Sequence, residues 1–260
     1  MPLTRKTPIL TVDRFEKRYG DKVAVRDLTL TVEAGDIYGF IGHNGAGKTT
    51  LIRSIVGAQP FEGGSIGVCG VDVTVDPVAA KRQLAYVPDN PDIYTFMTGI
   101  QYLTFMADVF EVPRDVREER ITSLAGRLGI LDDLASPIGS YSHGMRQKLV
   151  VIGALLHKPK LLILDEPFVG LDPVASHELK EILHEHAARG GAVFFSSHVL
   201  EVVEKLCNKV AIIRKGEIVA AGTTDEVRGD DTLEEVFLEL AEEADRTGAN
   251  PAPSTSSEQR

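Results

Sequence analysis

Two cysteines in 260 residues, Cys69 and Cys207, are too few for a disulfide framework or a metal set, and they read as core or strand residues. No stretch approaches the roughly 20 consecutive apolar residues of a membrane span. The longest uncharged apolar run is residues 149–156. The first residues lack the apolar middle of a signal peptide, so the chain is expected to be cytoplasmic. A basic stripe of the kind that grips nucleic acid is missing as well. The net charge is −10, but residues 225–260 hold 11 of the 38 acids and 3 of the 28 bases, which leaves residues 1–224 at only −2. No nucleic-acid partner is expected.

What is present centres on Gly42-His43-Asn44-Gly45-Ala46-Gly47-Lys48-Thr49-Thr50. An apolar run, Ile37-Tyr38-Gly39-Phe40-Ile41, precedes it, and a helical pattern beginning at Leu51 follows. Strand, glycine loop and helix in that order make a phosphate-binding P-loop. The glycines let successive backbone N–H groups converge on an anion, and the helix N-terminus adds its positive end. Lys48 then reaches the β- and γ-phosphates of a nucleotide, and Thr49 offers a hydroxyl to Mg²⁺.

Upstream, residues 8–35 alternate apolar and polar positions about the turn Tyr19-Gly20-Asp21, which predicts antiparallel strands. Tyr19 either stacks on a purine ring or packs on the sheet edge. Downstream come a strand after Gly63-Gly64, a helix over 77–83 and a strand at Leu84-Ala85-Tyr86-Val87. From Asp89 to His157 the pattern turns helical. Thr98 and Gln101 form a capping box, with Leu103, Met106, Val109 and Phe110 on one face of the helix that follows. Pro113 opens a second, charged helix. The segment Tyr94-Thr95-Phe96-Met97 either receives a short helix of a partner or packs the insertion onto the core.

Tyr141-Ser142-His143-Gly144-Met145-Arg146-Gln147 leads into another apolar helix, with Ser142 suited to its N-cap. Leu161-Leu162-Ile163-Leu164-Asp165-Glu166 reads as a buried parallel strand whose C-terminal end carries two carboxylates, the end at which open α/β sheets bind ligands. Asp165 is placed to bind Mg²⁺, and Glu166 to orient or deprotonate an attacking water. A second buried strand over 192–197 ends at His198, which acts on a phosphate or satisfies a neighbouring backbone group. Thr232 to Glu235 is a capping box for a short helix, and beyond residue 244 the composition reads as a disordered tail.

Together these motifs resemble the nucleotide-binding subunit of an ABC transporter over residues 8–240. The P-loop and the Asp165-Glu166 pair match in order. Ser142-His143-Gly144-Met145-Arg146-Gln147 resembles the family signature Ser-Gly-Gly-x-x-Gln. Tyr19 falls at the adenine-stacking aromatic, Gly170-Leu171-Asp172 at the D-loop and His198 at the switch histidine. The resemblance implies an α/β P-loop core (8–88 and 158–226) carrying an N-terminal antiparallel β-subdomain. It also implies a helical subdomain (89–157), a C-terminal helix (227–244) and a tail (245–260). It further implies ATP hydrolysis with Mg²⁺, using Lys48, Glu166 and His198, and a metal held by Thr49, Asp165 and Asp89. The signature would contact ATP bound to a second ATPase subunit, and Asp172 would link the two sites. A separate polytopic permease chain would hold the pair at the inner face of the membrane.

Two positions depart from the family pattern: His143 stands where glycine is usual, and Asp89 where most relatives carry glutamine. Asp89 and the short C-terminal helix resemble the export branch. An importer ATPase, or a soluble ABC-type ATPase acting on DNA or the ribosome, are the alternatives. Only 94 positions separate Lys48 from Ser142, unlike the very long insertion of chromosome-associated members, and one cassette is present where translation factors usually carry two.

Overall fold

The computed structural model describes residues 8–248. Strands β1 (Pro8–Tyr19) and β2 (Lys22–Glu33) form an antiparallel hairpin, followed by β3 (Ile37–Ile41) and helix α1 (Lys48–Ile55). Next come β4 (Gly63–Val68), the two-residue β5 (Val71–Asp72), α2 (Pro77–Gln83) and β6 (Leu84–Val87). Helices α3 (Gly99–Val109), α4 (Arg114–Arg127) and α5 (His143–Leu155) make up the helical stretch. Strand β7 (Leu161–Asp165), α6 (Pro173–Ala188), β8 (Ala192–Ser197), α7 (Leu200–Leu206), β9 (Lys209–Arg214), β10 (Glu217–Thr223), α8 (Thr224–Arg228) and α9 (Leu233–Gly248) complete the order.

The strands make two sheets. One is antiparallel, β2-β1-β4-β5; the other runs β10-β9-β3-β8-β7-β6, parallel throughout except for β10 at its edge. This is the α/β P-loop architecture with an antiparallel β-subdomain and inserted helices. Because side chains alternate across a strand, the parallel sheet feeds two cores. Ile37, Ile41, Leu162, Leu164, Val193 and Phe195 face the helical side, whereas Tyr38, Phe40, Leu161, Ile163 and Phe194 face α1 and the antiparallel sheet. Strands buried on both faces have no room for a polar period, hence the continuous apolar runs of the sequence.

Several expectations are adjusted. The Thr98–Gln101 capping box forms in both directions, and Leu103 is fully buried, but Val109 is 55% exposed, and Tyr102 and Ala107 fill the buried face with Leu103. Cys69 lies in a turn with φ 50°, next to Gly70, instead of within a strand, while Cys207 is buried at the end of α7. Strand β5 and helix α8 were not anticipated, being two and five residues long. Helix α9 continues to Gly248, four residues into the stretch expected to be tail. Residues such as Ala241, Glu242, Glu243 and Ala244 are strong helix formers, and that propensity extends the helix where composition suggested disorder. The remainder of that tail, 249–260, lies outside the described residues.

Candidate nucleotide site

The site gathers at the C-terminal ends of the parallel strands. β3 delivers the P-loop between two neighbours that press on it. An added Cβ at Gly42 would lie 2.4 Å from the Ile213 carbonyl oxygen of β9, and one at Gly47, whose φ is +118°, 2.9 Å from a methyl of Val25. Only glycine allows both the close approach and the left-handed backbone. Gly47 is the N-cap of α1 and supplies no side-chain cap, so the first turn of the helix presents its N–H groups to the loop. Lys48 lies across the same loop, donating to the carbonyls of Gly42 at 2.5 Å and His43 at 3.4 Å. Burial pushes its ammonium pKa down, and the carboxylates of Glu166 and Asp165 work against that shift.

β7 delivers the two carboxylates. Asp165 is 2% exposed and accepts hydrogen bonds from the hydroxyls of Thr49 (3.2 Å) and Ser196. Glu166 takes a left-handed backbone, φ 49°, unusual for a residue with a side chain. That turn sends its carboxylate away from Asp165 and toward His198, whose Nδ1 lies 2.9 Å from Oε2. The backbone N–H of His198 also donates to Oε2, at 3.4 Å. His198 thus meets the Glu166 carboxylate, not a neighbouring carbonyl, and its ring is 59% exposed on the other side.

A cavity of about 500 Å³ brings most of these groups together, while Gly42 and His198 line a neighbouring cleft that shares His43, Asn44, Asp89 and Glu166 with it. Tyr19, residues 43–45 and 47–50, Asp89, Asp165 and Glu166 line it. Lys22, Val23, Ala24 and Lys215, which no motif marks, also line it. The first three open β2 and Lys215 lies in the β9–β10 turn, 191 positions beyond Ala24 and too distant for any local pattern to join, and the two lysines add cations at the mouth. Tyr19 is 52% exposed and its hydroxyl donates to Gln59 at 2.9 Å, which leaves the ring standing at the rim. Asp89 is exposed and accepts from the Asn90 N–H at 2.8 Å.

The structure does not bring residues 142–147 to this cavity. Ser142 caps α5, accepting from Met145 N at 3.2 Å, and Gln147 is fully buried. Gly144 packs so closely on Gly170 that an added Cβ would sit 2.4 Å from its carbonyl oxygen. The His143 ring occupies the space a side chain at Gly170 would need, an added Cβ there lying 2.6 Å from Nδ1. The departure at position 143 is therefore matched by a glycine opposite. Asp172 caps α6, accepting from Ala175 N at 2.9 Å, and pairs with Lys148 at 2.7 Å. The Lys148 hydrogen bond, with that backbone N–H, holds the Asp172 carboxyl below its usual range.

The family model described as ABC transporter matches residues 25–169. The chain belongs to the ABC transporter ATP-binding family. An ABC transporter ATP-binding protein of Bacillus subtilis is 36% identical over 234 residues, spanning 90% of this chain and 74% of the relative. A Nod factor export ATP-binding protein of Cupriavidus pinatubonensis is 33% identical over 262 residues, spanning 95% of this chain and 81% of the relative. A solved ATP-binding subunit of an ABC transporter superposes with a TM-score of 0.87 at 33% identity, covering 90% of this chain and 99% of that one. This ABC subunit therefore binds ATP as its family does, and ATP-binding subunits of this family are ATPases. Among the described residues no helix is long and apolar enough to cross a membrane.

Proposed function

We propose that this ABC subunit hydrolyses ATP with Mg²⁺ and thereby powers export through a separate polytopic permease, acting as a pair of ATPase subunits on the inner face of the membrane. The observation that carries the chemistry is the convergence of Thr49, Asp165, Glu166 and Asp89 on the P-loop cavity. Lys48, with residues 42–50, holds the phosphates, and Tyr19 at the rim stacks the base. Glu166 takes the position of the residue that orients water, and His198, hydrogen-bonded to it, reaches the γ-phosphate.

Thr49, Asp165 and Asp89 are hard oxygen donors, suited to Mg²⁺, which takes one or two carboxylates and completes its shell with phosphate oxygens and water. Mg²⁺, when bound, would supply positive charge against the phosphates, with Thr49, Asp165 and Asp89 as the residues that would hold it.

Residues 142–147 sit outside the cavity, which supports a site completed by a second subunit: Ser142 and the Gly144 N–H face that subunit's ATP, and Asp172 couples the two sites. Residues 8–88 and 158–226 form the β-subdomain and P-loop core, 89–157 the helical subdomain, and α9 (Leu233–Gly248) stands as the C-terminal helix in place of the expected 227–244. Tyr94, Phe96 and Phe105 form an aromatic cluster with centroids 5.7 and 6.0 Å from that of Tyr94, and Phe96 is 82% exposed. An exposed apolar patch of this kind is suited to a permease helix. The export direction rests on Asp89 and on the relative named for Nod factor export.

A Mg²⁺ titration of steady-state hydrolysis tests this reading. The wild type hydrolyses ATP only with the metal, and Asp89→Gln, neutral and longer, shifts half-saturation severalfold. Hydrolysis without divalent metal overturns the Mg²⁺ assignment, and an unchanged titration in Asp89→Gln removes Asp89 from the metal.

A further inference from the structure

Helix α9 approaches the nucleotide loop directly. The ring of Phe237 packs on that of His43, with centroids 4.6 Å apart and planes at 51°. His43 is the second residue of the P-loop, and its carbonyl accepts the Ala46 N–H at 3.1 Å and Lys48 Nζ at 3.4 Å. A displacement of His43 therefore moves both the loop backbone and the ammonium that meets phosphate.

Phe237 is itself a fixed post. Leu233 at the start of α9 is fully buried, and its N–H donates to Glu204 at 3.0 Å. Thr232 and Glu235 cap each other, the Glu235 N–H donating to the threonine hydroxyl at 3.2 Å and the Thr232 N–H to the carboxylate at 2.8 Å. One turn beyond Phe237, the Arg214 guanidinium donates to the Leu240 carbonyl. Arg214 ends β9, the strand paired with β3, so the anchor of the helix and the root of the P-loop belong to one sheet. Phe237 also lines, with Glu234, Leu238, Glu166 and His198, a cleft of about 560 Å³ on the outer side of the loop.

We infer that Phe237 is a positioning residue for nucleotide binding, and that α9 acts as a brace holding the P-loop in its phosphate-binding shape through the His43 ring. The inference rests on ATP binding at this P-loop and assigns the C-terminal helix a part in it. A loop held in its bound shape spends less of its binding free energy on ordering, so removal of the brace weakens affinity more than turnover.

The test is titration of the full chain with a fluorescent ATP analogue, together with steady-state kinetics. Phe237→Ala raises Kd and KM about 2- to 10-fold, the range an aromatic pair is worth, and kcat at saturation stays within about twofold. Phe237→Trp restores affinity. His43→Ala weakens binding to the same degree, and the double variant is no weaker than either single one, because both remove one contact. Phe237→Leu, which keeps apolar bulk and loses the ring face, replaces the alanine variant if that fails to fold. Wild-type affinity in Phe237→Ala or Phe237→Leu, or losses that add in the double variant, overturn the brace. Absence of analogue binding by the wild-type chain instead overturns the P-loop reading beneath it.

Discussion

Glu166→Gln lowers steady-state ATP hydrolysis about 100- to 10,000-fold, the range a positioned general base contributes, while ATP affinity changes little. The substitution keeps the shape of the side chain and its contact with His198 but removes the charge that orients and deprotonates water. The backbone at 166, φ 49°, accepts glutamine no less than glutamate, so the fold is unaffected. Glu166 is held at 16% exposure between the P-loop cavity and His198, a position reached only because β7 ends in this turn. Phosphate release measured beside equilibrium nucleotide binding checks the prediction. A rate within tenfold of wild type would move the base elsewhere, and lost ATP binding would make Glu166 a binding residue.

Lys48→Ala acts on the other parameter and raises the nucleotide Kd about 10- to 150-fold, equivalent to the 1.5–3 kcal/mol of a hydrogen bond to a charged group. Lys48 is 7% exposed, and burial disfavours its charge, which Asp165 and Glu166 support from across the cavity. A triphosphate offers that ammonium stronger partners than the carbonyls of Gly42 and His43, and the difference appears as affinity. Isothermal calorimetry with ATP reads it directly. An unchanged Kd would mean that the loop amides alone hold the phosphates.

Much of this molecule was legible from residues 37–50 and 161–166, because a P-loop needs a strand before it and a helix after it, and a strand buried on both faces leaves its own apolar signature. The caps at Thr98, Ser142 and Thr232 are local chemistry, visible within four residues, whereas the cap that Asp172 gives α6 was not read from the sequence. What was not legible depends on topology. Lys22 and Lys215 meet at one cavity because β2 and the β9–β10 turn flank the P-loop, with the Gly216 N–H donating to the Ala46 carbonyl at 2.9 Å. The fit of His143 against Gly170 joins a helix start to a turn 27 positions later. Phe237 was readable as an apolar helix position, but its contact with His43 spans 194 positions and follows from where β9 leaves the chain.

Whether this chain is the ATPase of a membrane transporter is decided by an affinity pull-down of tagged Glu166→Gln protein with ATP from detergent-solubilised membranes. If two subunits close around ATP as proposed, blocked hydrolysis holds them together, and the expected result is recovery of a polytopic membrane chain with about two ATPase copies. Recovery of ribosomal or chromosomal proteins, with nothing from the membrane, would contradict the transporter reading.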